Sequence, residues 1–272
     1  MNKTPIILQN RAIISVSGED QKTFLQGLIT NDINKVSENQ AIYAFMLSPQ
    51  GRFLYDFFII QKDDELLLDC SRERIDEIVK KLSFFKFRSK VEIKKAENFL
   101  VEVGLNKEDF VDQNIIFADP RSEEMGYRSF VNDSVNSSDN CDEYNFRRIN
   151  LKLSDDSDLT FDKSFPLEFG FDNFGAVDYK KGCYVGQETT ARMHYKGTIR
   201  KKIFLVSIDF KEIEKGTEIR FGEKKVGEVL SSILHKNQLF SLILIKNLDN
   251  EGKEIKFSEL KTPSDQIIKI IN

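Results

Sequence analysis

The apolar residues in the N-terminal part of the chain switch between the spacing of a strand and that of a helix. Strands are predicted at residues 5–16, 41–47, 53–60, 65–69, 91–95 and 99–103. Helices are predicted after Ser17 and Ser71, because each serine suits a helix N-cap and precedes apolar residues at helical spacing. Several strands with few helices between them predict an α+β fold with antiparallel sheets.

From about residue 200 the pattern changes to short apolar runs separated by turns. Strands are predicted at residues 203–208, 218–221, 225–230 and 239–245. Short strands at this spacing indicate a small β-barrel or sandwich. We therefore expect two units, one over residues 1–200 and a β-barrel over residues 201–272.

The segment between the two patterns is polar and irregular. Residues 131–140 are small and polar and are predicted to form an exposed loop, which a short helix at 141–148 follows. Residues 151–162 form an acidic stretch without clear periodicity. Residues 163–200 combine glycines with isolated charged and thiol groups, so the functional site is expected there.

Composition narrows the classes of protein that remain. The chain has 272 residues, with 40 basic against 44 acidic side chains, so its net charge of −4 gives no general attraction to nucleic acid. Three cysteines lie far apart without a C-x-x-C motif, which is typical of a reducing cytoplasm. We expect a cytoplasmic protein without a membrane segment, because neither a signal-type nor a spanning apolar run occurs.

The sequence K-K-G-C-Y-V-G-Q-E, residues 180–188, is the strongest candidate for chemistry. Its Cys183 lies between two glycines, with two lysines before it and Arg192 after it. Nearby positive charge favours the thiolate, which is the nucleophilic and metal-binding form of cysteine. On the C-x-x-G pattern alone, a small residue filling a turn is an equally good interpretation. We expect Cys183 to be partly exposed and to alkylate faster than Cys70, which ends an apolar strand.

The next candidates for functional residues are carboxylates that lie within apolar stretches of the sequence. Glu168 lies in F-P-L-E-F-G, where it is either exposed at the end of an element or holds a ligand that offers two parallel N–H groups. Asp56 interrupts the strand F-L-Y-D-F-F-I-I and faces either a cavity or solvent. Asn31 and Asp32 follow the first predicted helix and suit its end. Walker, Rossmann and zinc-ligand motifs do not occur, so nucleotide hydrolysis, dehydrogenation and zinc hydrolysis are poorly supported.

Segments along residues 10–250 resemble the YgfZ family, the folate-binding relatives of the glycine-cleavage T-protein. The most specific segment is the core K-G-C-Y-x-G-Q-E, preceded by F-P-L-E-F-G-F-D. Further segments in the same order are F-L-Q-G-L-I-T-N-D-I, S-P-Q-G-R-F-L-Y-D-F, K-F-R-S-K-V-E-I and D-P-R-S-E-E-M-G-Y-R.

This resemblance implies a fold and a role. The fold is a T-protein-like core of two interwoven α+β parts over residues 1–200, followed by a small C-terminal β-barrel. Tetrahydrofolate or a derivative is expected in a central cavity. Members of the family support assembly or repair of iron–sulfur clusters in client enzymes, including radical-SAM enzymes that modify tRNA. The implied partners are folate and iron–sulfur clients or assembly factors, with no membrane and no stable nucleic-acid binding.

The resemblance also implies roles for individual residues. Cys183 is the thiol on which the family role depends, and Glu168 holds the pterin ring. The remaining residues expected to contact the cofactor are Asn31, Asp32, Lys181, Gln187, Glu188 and Arg192. The three dispersed cysteines are too few to bind a cluster permanently, so no resident metal is expected.

Two other functions stay open at this stage. The first is a folate-dependent aminomethyl or one-carbon transferase, with Asp56 as a catalytic group. T-protein carries an Asp-Asp pair where this chain has Tyr55-Asp56, and the missing acid argues against that reaction. The second is a folate-binding scaffold in which replacing Cys183 by serine has no effect.

Overall fold

The structure is a computed structural model that describes residues 4–111, 115–132, 138, 140–197, 199–209, 212–246, 259–263 and 268–271. The helices are α1 (Gln21–Gln26), α2 (Ile75–Phe85), α3 (Asp142–Asn150) and α4 (Gln187–Tyr195). The strands are β1 (Ile6–Ile7), β2 (Arg11–Ser17), β3 (Ile42–Leu47), β4 (Phe53–Lys62), β5 (Glu65–Ser71), β6 (Glu92–Lys95), β7 (Leu100–Gly104), β8 (Ile115–Ala118), β9 (Tyr127–Val131), β10 (Lys201–Ile208), β11 (Glu218–Phe221), β12 (Lys224–His235), β13 (Gln238–Lys246), β14 (Leu260–Lys261) and β15 (Ile268–Ile270).

A five-stranded antiparallel sheet in the order β3-β4-β5-β2-β6 occupies the centre of the molecule. Every residue of β3 and the first eight of β4 are buried, so these strands are covered on both faces. One face packs against α1 and α2 through residues such as Leu25, Leu82 and Phe57. The other face carries Tyr43, Phe58 and a set of charged side chains, and the rest of the molecule packs on it.

Two further antiparallel sheets cover that second face. The four-stranded sheet β1-β7-β9-β8 packs against it through a shared apolar cluster that includes Leu67 and Val101. The six-stranded sheet β14-β11-β12-β13-β10-β15 is nearly closed into a barrel and contributes Leu205 and Leu242 to the cluster around Tyr43. The predicted α+β class with antiparallel sheets and a C-terminal barrel is therefore confirmed. Within the described residues, every helix is too short or too polar to cross a bilayer.

The structure differs from the predicted elements mainly at helix starts. Helix α1 begins at Gln21 and not after Ser17, because the chain first turns, with the Gln21 amide donating to the Gly18 carbonyl. Helix α2 likewise begins after Arg74, since the Ser71 side chain does not cap it. Strands β8 and β9 were not predicted. Strand β10 begins at Lys201, while the division into units at residue 200 stays a prediction. Most of the predicted loop at 131–140 lies outside the described residues.

Three buried arginines surround the Phe58 ring where the sheets meet. The guanidinium carbons of Arg128, Arg121 and Arg11 lie 3.7, 4.8 and 5.6 Å from the centre of that ring. Burial of three guanidinium groups is tolerable only with anionic partners. The carboxylates that pair with them are those of Asp56, Asp69 and Asp119.

Asp56 belongs to this network and does not face solvent. Both of its oxygens accept from Arg11 at 3.0 Å, and the Tyr43 hydroxyl donates to it at 3.1 Å. Arg11 also donates to Asp69 at 2.6 Å, and Arg128 pairs with the same carboxylate. A lone carboxylate within an apolar strand is thus explained here by partners that other strands supply.

With a fourth carboxylate, the network has one more acidic group than it has guanidinium groups. Asp156 lies 3.7 Å from the Arg11 guanidinium, which is already paired with Asp56 and Asp69. Burial, together with repulsion from Asp56, raises the pKa of Asp156 to about 7. The native state therefore keeps a proton that the unfolded chain loses near the ordinary value of 3.8.

Replacing Asp156 by asparagine should stabilise the protein at pH 8. Between about pH 4 and pH 7 the native state binds more protons than the unfolded state, so the stability of the wild type falls as pH rises through this window. We expect Asp156→Asn to remove that slope and to gain about 1–3 kcal/mol at pH 8. Urea unfolding of both proteins at pH 4 and pH 8 measures this difference in the free energy of unfolding.

Asp155→Asn is the matched control for this experiment. Burial alone raises the pKa of Asp155, but the Arg148 guanidinium and a hydrogen bond from Ser157 outweigh it and hold the pKa below its ordinary value. This variant should therefore lose stability at pH 8. A loss of stability in both variants would show that Asp156 is ionised and stabilising in the native state.

Candidate functional site

Cys183 lies on an irregular loop that leads from residue 175 into α4. Gly182 and Cys183 are exposed, whereas Lys181 before them and Tyr184 after them are buried. The thiol is thus presented to solvent by two neighbours that anchor the loop. Burial raises the pKa of the Tyr184 hydroxyl to about 12, and its ring lies 5.1 Å from the Lys181 ammonium nitrogen.

The Lys181 ammonium group fixes this loop to the turn that follows α1. Its Nζ donates to the main-chain carbonyls of Gln26, Ile29 and Asn31 at 2.8, 2.7 and 2.8 Å. These three bonds use all three of its N–H groups, so none is left for a ligand. Burial lowers the pKa of Lys181 to about 8, against the opposing effect of the Asp32 and Asp178 carboxylates. Lys181 therefore clamps the loop, and its expected contact with a cofactor stays a prediction.

Asn31 also has a structural role, and its expected contact with the cofactor stays a prediction. Its amide nitrogen donates to the Tyr43 and Gly175 carbonyls at 2.9 and 2.7 Å, and its oxygen accepts from the amide of Asp32. Asp32 accepts from Asn34 and Gln26, and the bond from the Asn34 amide is the main reason that its pKa is lowered. Asn31 and Asp32 thus form the turn after α1, which agrees with the simpler interpretation of their sequence.

Two glycines bring the Cys183 loop into contact with the turn between β3 and β4. Gly186 has φ of +85°, and a Cβ there would lie 2.6 Å from the Ser48 carbonyl oxygen. On the other side, a Cβ on Gly51 would lie 2.8 Å from the Thr189 side chain. Only glycine fits this close approach without strain. Three segments that carried the family resemblance thus meet at one place: the turn after α1, the turn after β3 and the Cys183 loop.

Three of the residues predicted to contact the cofactor lie on α4, the helix that follows the Cys183 loop. Gln187 and Glu188 form its first turn, and Arg192 follows one turn later. Glu188 and Arg192 are exposed, and Gln187 is half-buried. None of the three has a side-chain hydrogen bond or ion pair within the described part of the chain. This outward face is therefore available to a partner.

His194 is not a partner of the thiol. Its ring stacks on Tyr179 at 3.8 Å between centres, and its Nδ1 lies 3.8 Å from the Asp172 carboxylate. The arrangement of a hydrolytic Cys/His pair, in which the imidazole bonds the thiol, is absent from these described contacts.

The three cysteines differ sharply in their environments. Cys70 is buried, which raises its pKa, and Cys141 is half-buried with its sulfur 3.6 Å from the Ile7 carbonyl oxygen. Cys183 is the exposed one. Across the described ranges, His, Cys, Asp and Glu side chains do not form a group of three or more that could hold a metal ion. Any metal bound at Cys183 must take its other ligands from elsewhere.

Glu168 lies in a short 3-10 helix, Pro166–Phe169, that precedes the Cys183 loop. Its side chain is 11% exposed, and one of its oxygens lies 3.4 Å from the Lys201 ammonium group at the start of β10. The carboxylate is thus nearly buried and already has a cationic partner, which removes the cost of an unpaired charge.

The cavities that border Asp56 do not include Glu168, the residue that the resemblance places against the pterin ring. A cavity of about 300 Å³ borders Asp56, but its walls are the buried arginine network, α3 and residues 8–10, and Glu168 is not among them. A second cavity beside Asp56, of about 40 Å³, is also lined by other residues than Glu168. Asp56 and Glu168 are each paired within the chain. In this arrangement neither carboxylate is free to hold folate.

Proteins of similar sequence are named as iron–sulfur cluster assembly factors. The mitochondrial iron–sulfur cluster assembly factor IBA57 homolog of Dictyostelium discoideum is 30% identical over 80% of this chain and 65% of its own length. The corresponding protein of Mycosarcoma maydis is 32% identical over 73% of this chain and 55% of its own, and that of Mus musculus 29% identical over 74% and 65%. The chain thus spans between about half and two thirds of these relatives. No family model matches it.

The fold is that of a glycine-cleavage aminomethyltransferase. The crystal structure of glycine cleavage system aminomethyltransferase T from Bartonella henselae aligns with a TM-score of 0.75 and covers 99% of this chain and 84% of that one. At 12% sequence identity this likeness shows the fold and not the activity. The T-protein-like architecture expected from the sequence is confirmed.

The expected cytoplasmic location is wrong on this comparison. The Dictyostelium, Mycosarcoma and mouse relatives are all named as mitochondrial proteins. Cysteine usage led to the error, because scarce and unpaired cysteines indicate a reducing environment and do not distinguish one reducing compartment from another.

Substituting Gly186 should disturb the Cys183 loop, whereas substituting Gly182 should not. Alanine at Gly186 meets the Ser48 carbonyl and must adopt φ of +85°, so we expect Gly186→Ala to cost about 1–3 kcal/mol of stability. Gly182 has ordinary backbone geometry, and a Cβ added there would meet nothing within 4 Å. Gly182→Ala should therefore change stability by less than about 0.5 kcal/mol. Thermal unfolding compares the two. Equal effects would contradict the close contact between the loop and the β3–β4 turn.

Proposed function

We propose that this chain is an accessory protein in the assembly or repair of iron–sulfur clusters, and that Cys183 is its functional group. The observation that carries the proposal is an exposed thiol on a loop that Lys181, Gly186 and Tyr184 hold in place. The similarity to named iron–sulfur cluster assembly factors supports the same class of function.

The chemistry of a single thiol limits what this site does. An iron–sulfur cluster takes about four protein ligands, most often thiolates. Cys183 supplies one, and the other two cysteines are buried or half-buried. The remaining ligands must therefore come from an iron–sulfur client or from an assembly factor, and the cluster passes through the complex as cargo. When Cys183 binds, its sulfur displaces one ligand from the iron, and that ligand leaves with the proton of the thiol.

The exposed face of α4 fits this shared arrangement. Glu188 and Arg192 offer opposite charges on the helix that follows the Cys183 loop, and neither has a described partner within the chain. We assign them to orienting a partner protein, in place of the predicted contact with folate. A narrower form of this proposal is that the clients are radical-SAM enzymes that modify tRNA, as the family resemblance implies.

Aminomethyl transfer is the weaker alternative. Its candidate acid, Asp56, is held by Arg11 and Tyr43 within the buried network. Tyr55 takes the place of the second acid of T-protein and points to the opposite face of the sheet, where its hydroxyl donates to Glu77 at 2.7 Å. Neither residue offers a free carboxylate to a folate carrier.

Replacing Cys183 by alanine should abolish the cellular role without unfolding the protein. The side chain is exposed, so its truncation removes few contacts. In a host without its own copy of the gene, we expect wild-type protein to restore the activity of iron–sulfur enzymes and Cys183→Ala to leave it at the level of the deletion. The assay is the activity of those enzymes in extracts.

Cys141→Ala is the control for loss of a thiol as such, and it should restore activity. Restoration by Cys183→Ala to the wild-type level would refute the role of this thiol and favour a scaffold function.

Folate is the second ligand to test, because the resemblance implies it whereas Glu168, the expected pterin carboxylate, is paired with Lys201. We expect calorimetric titration with tetrahydrofolate to give no saturable binding. Saturable binding that Glu168→Gln weakens by about 1.5–3 kcal/mol would contradict this expectation and would restore Glu168 as the pterin carboxylate. In that case the pair with Lys201 must open when the ligand binds.

A further inference from the structure

A second surface of the molecule displays two phenylalanines to solvent at the end of α2. Phe84 is 70% exposed and Phe87 is 80% exposed, and their ring centres are 6.2 Å apart. Between them, Phe85 is partly buried and packs against the main core. The other described phenylalanines are buried or half-buried. Two adjacent exposed aromatic rings are typical of the centre of a protein interface.

The backbone holds Phe87 outward at some cost. Its φ is +44°, in the left-handed region that a bulky side chain rarely adopts. The turn is closed by the Ser89 amide, which donates to the Lys86 carbonyl at 2.8 Å. Glycine or asparagine would occupy this position with less strain. A strained and exposed phenylalanine is therefore not explained by the stability of the fold.

Uncompensated positive charge surrounds the two rings. The cations in this segment are Lys80, Lys81, Lys86 and Arg88, and none has an ion pair within the described part of the chain. Among the nearby carboxylates, Glu19 pairs with Lys90 at 2.7 Å and Asp76 with Lys95 at 2.6 Å, while Asp20 accepts a hydrogen bond from the main-chain amide of Lys90. This local excess stands against the net charge of −4 of the whole chain.

A groove lies beside Phe87 and completes the surface. It has a volume of about 790 Å³ and is lined by residues from α1 and from the turn after α2, among them Phe24, Phe87 and Arg88. The groove is shallow and open to solvent, so an apolar side chain of a bound segment can lie in it without being enclosed. Phe24 supplies an apolar wall, and Arg88 places a guanidinium group at the edge.

We propose that this aromatic–basic surface, formed by Phe84, Phe87, Lys80, Lys86 and Arg88, docks an acidic segment of a partner protein. An apolar side chain of the segment enters the groove against Phe87, and its carboxylates face the cations. The site is separate from Cys183, so the proposal does not depend on the function assigned to that thiol.

Protein is favoured over nucleic acid by the geometry. The rings of Phe84 and Phe87 are inclined by 55°, and those of Phe84 and Phe85 by 82°, so they do not form parallel platforms for successive bases. Asp20 also lines the groove and repels a phosphate backbone. An acidic peptide avoids this repulsion when its apolar side chain, and not its charge, lies next to Asp20.

Fluorescence anisotropy with a labelled peptide of alternating glutamate and leucine tests the proposal on the full chain. We expect binding that weakens as salt rises, that is absent for the same peptide with glutamine in place of glutamate, and that falls at least about tenfold in Phe87→Gly. Arg88→Gln should weaken it about threefold. Tyr195→Ser is the control, because Tyr195 is an equally exposed aromatic residue, 71% accessible, at the end of α4.

Thermal unfolding separates docking from a structural role of Phe87. Phe87→Gly should raise the midpoint of unfolding, since glycine adopts φ of +44° without strain, even though it loses the peptide. The proposal is overturned if the peptide does not bind, if it binds Phe87→Gly equally well, or if Phe87→Gly is less stable than wild type. It is also overturned if a single-stranded oligonucleotide or phosphatidylserine vesicles bind this surface in preference to the peptide.

Discussion

The hydrogen bonds from the Lys181 ammonium group to three main-chain carbonyls fix the position of everything around Cys183. A loop without regular structure has little to hold it, and a thiol on such a loop would sample many positions. The Lys181 side chain alone restrains the loop, because its three N–H donors match three carbonyls in and after the last turn of α1. Gly186 completes the constraint by allowing the loop to touch the β3–β4 turn.

The centre of the molecule holds a network of buried charges. Aminomethyltransferase T from Bartonella henselae has the same fold at 12% identity. In this chain arginines stack around Phe58 and pair with aspartates where the sheets meet, beside a cavity of about 300 Å³. Such a network is costly to bury, and it is stable only when each charge has its partner. The chain thus has a charged interior, while Cys183 is exposed on the outside.

The sequence predicted the strands well and the charged interior poorly. Alternation and apolar runs located β3, β4, β5 and β13, because buried strands carry their own signal. The helix starts were misplaced, since Ser17 and Ser71 resemble N-caps but the chain turns before each helix begins. The sequence marks Asp56 as an unusual charge within an apolar strand. Its partner Arg11 lies 45 positions away, so the residues next to Asp56 give no indication of the pair. Lys181 was singled out for its charge, whereas its role follows from three carbonyls about 150 residues earlier.

Both proposed surfaces depend on exposed side chains that the fold does not need. Cys183 and Phe87 contribute little to the core, and each sits on backbone that the surrounding structure holds in place. This combination of a rigid support and an exposed group is the expected arrangement for binding residues, which are commonly carried on loops of a stable scaffold. It also explains why the segments after α2 and before α4 carry so little apolar periodicity.

Hydrogen–deuterium exchange at residues 182–187 tests the central claim most directly, when Lys181→Met is compared with Lys180→Met. The Val185 amide donates to the Gly27 carbonyl at 3.2 Å, so its protection reports whether the loop stays on the turn after α1. We predict faster exchange in Lys181→Met and wild-type exchange in Lys180→Met, because the Lys180 side chain is exposed. Unchanged protection in Lys181→Met would show that the ammonium group does not hold the loop and would contradict the account.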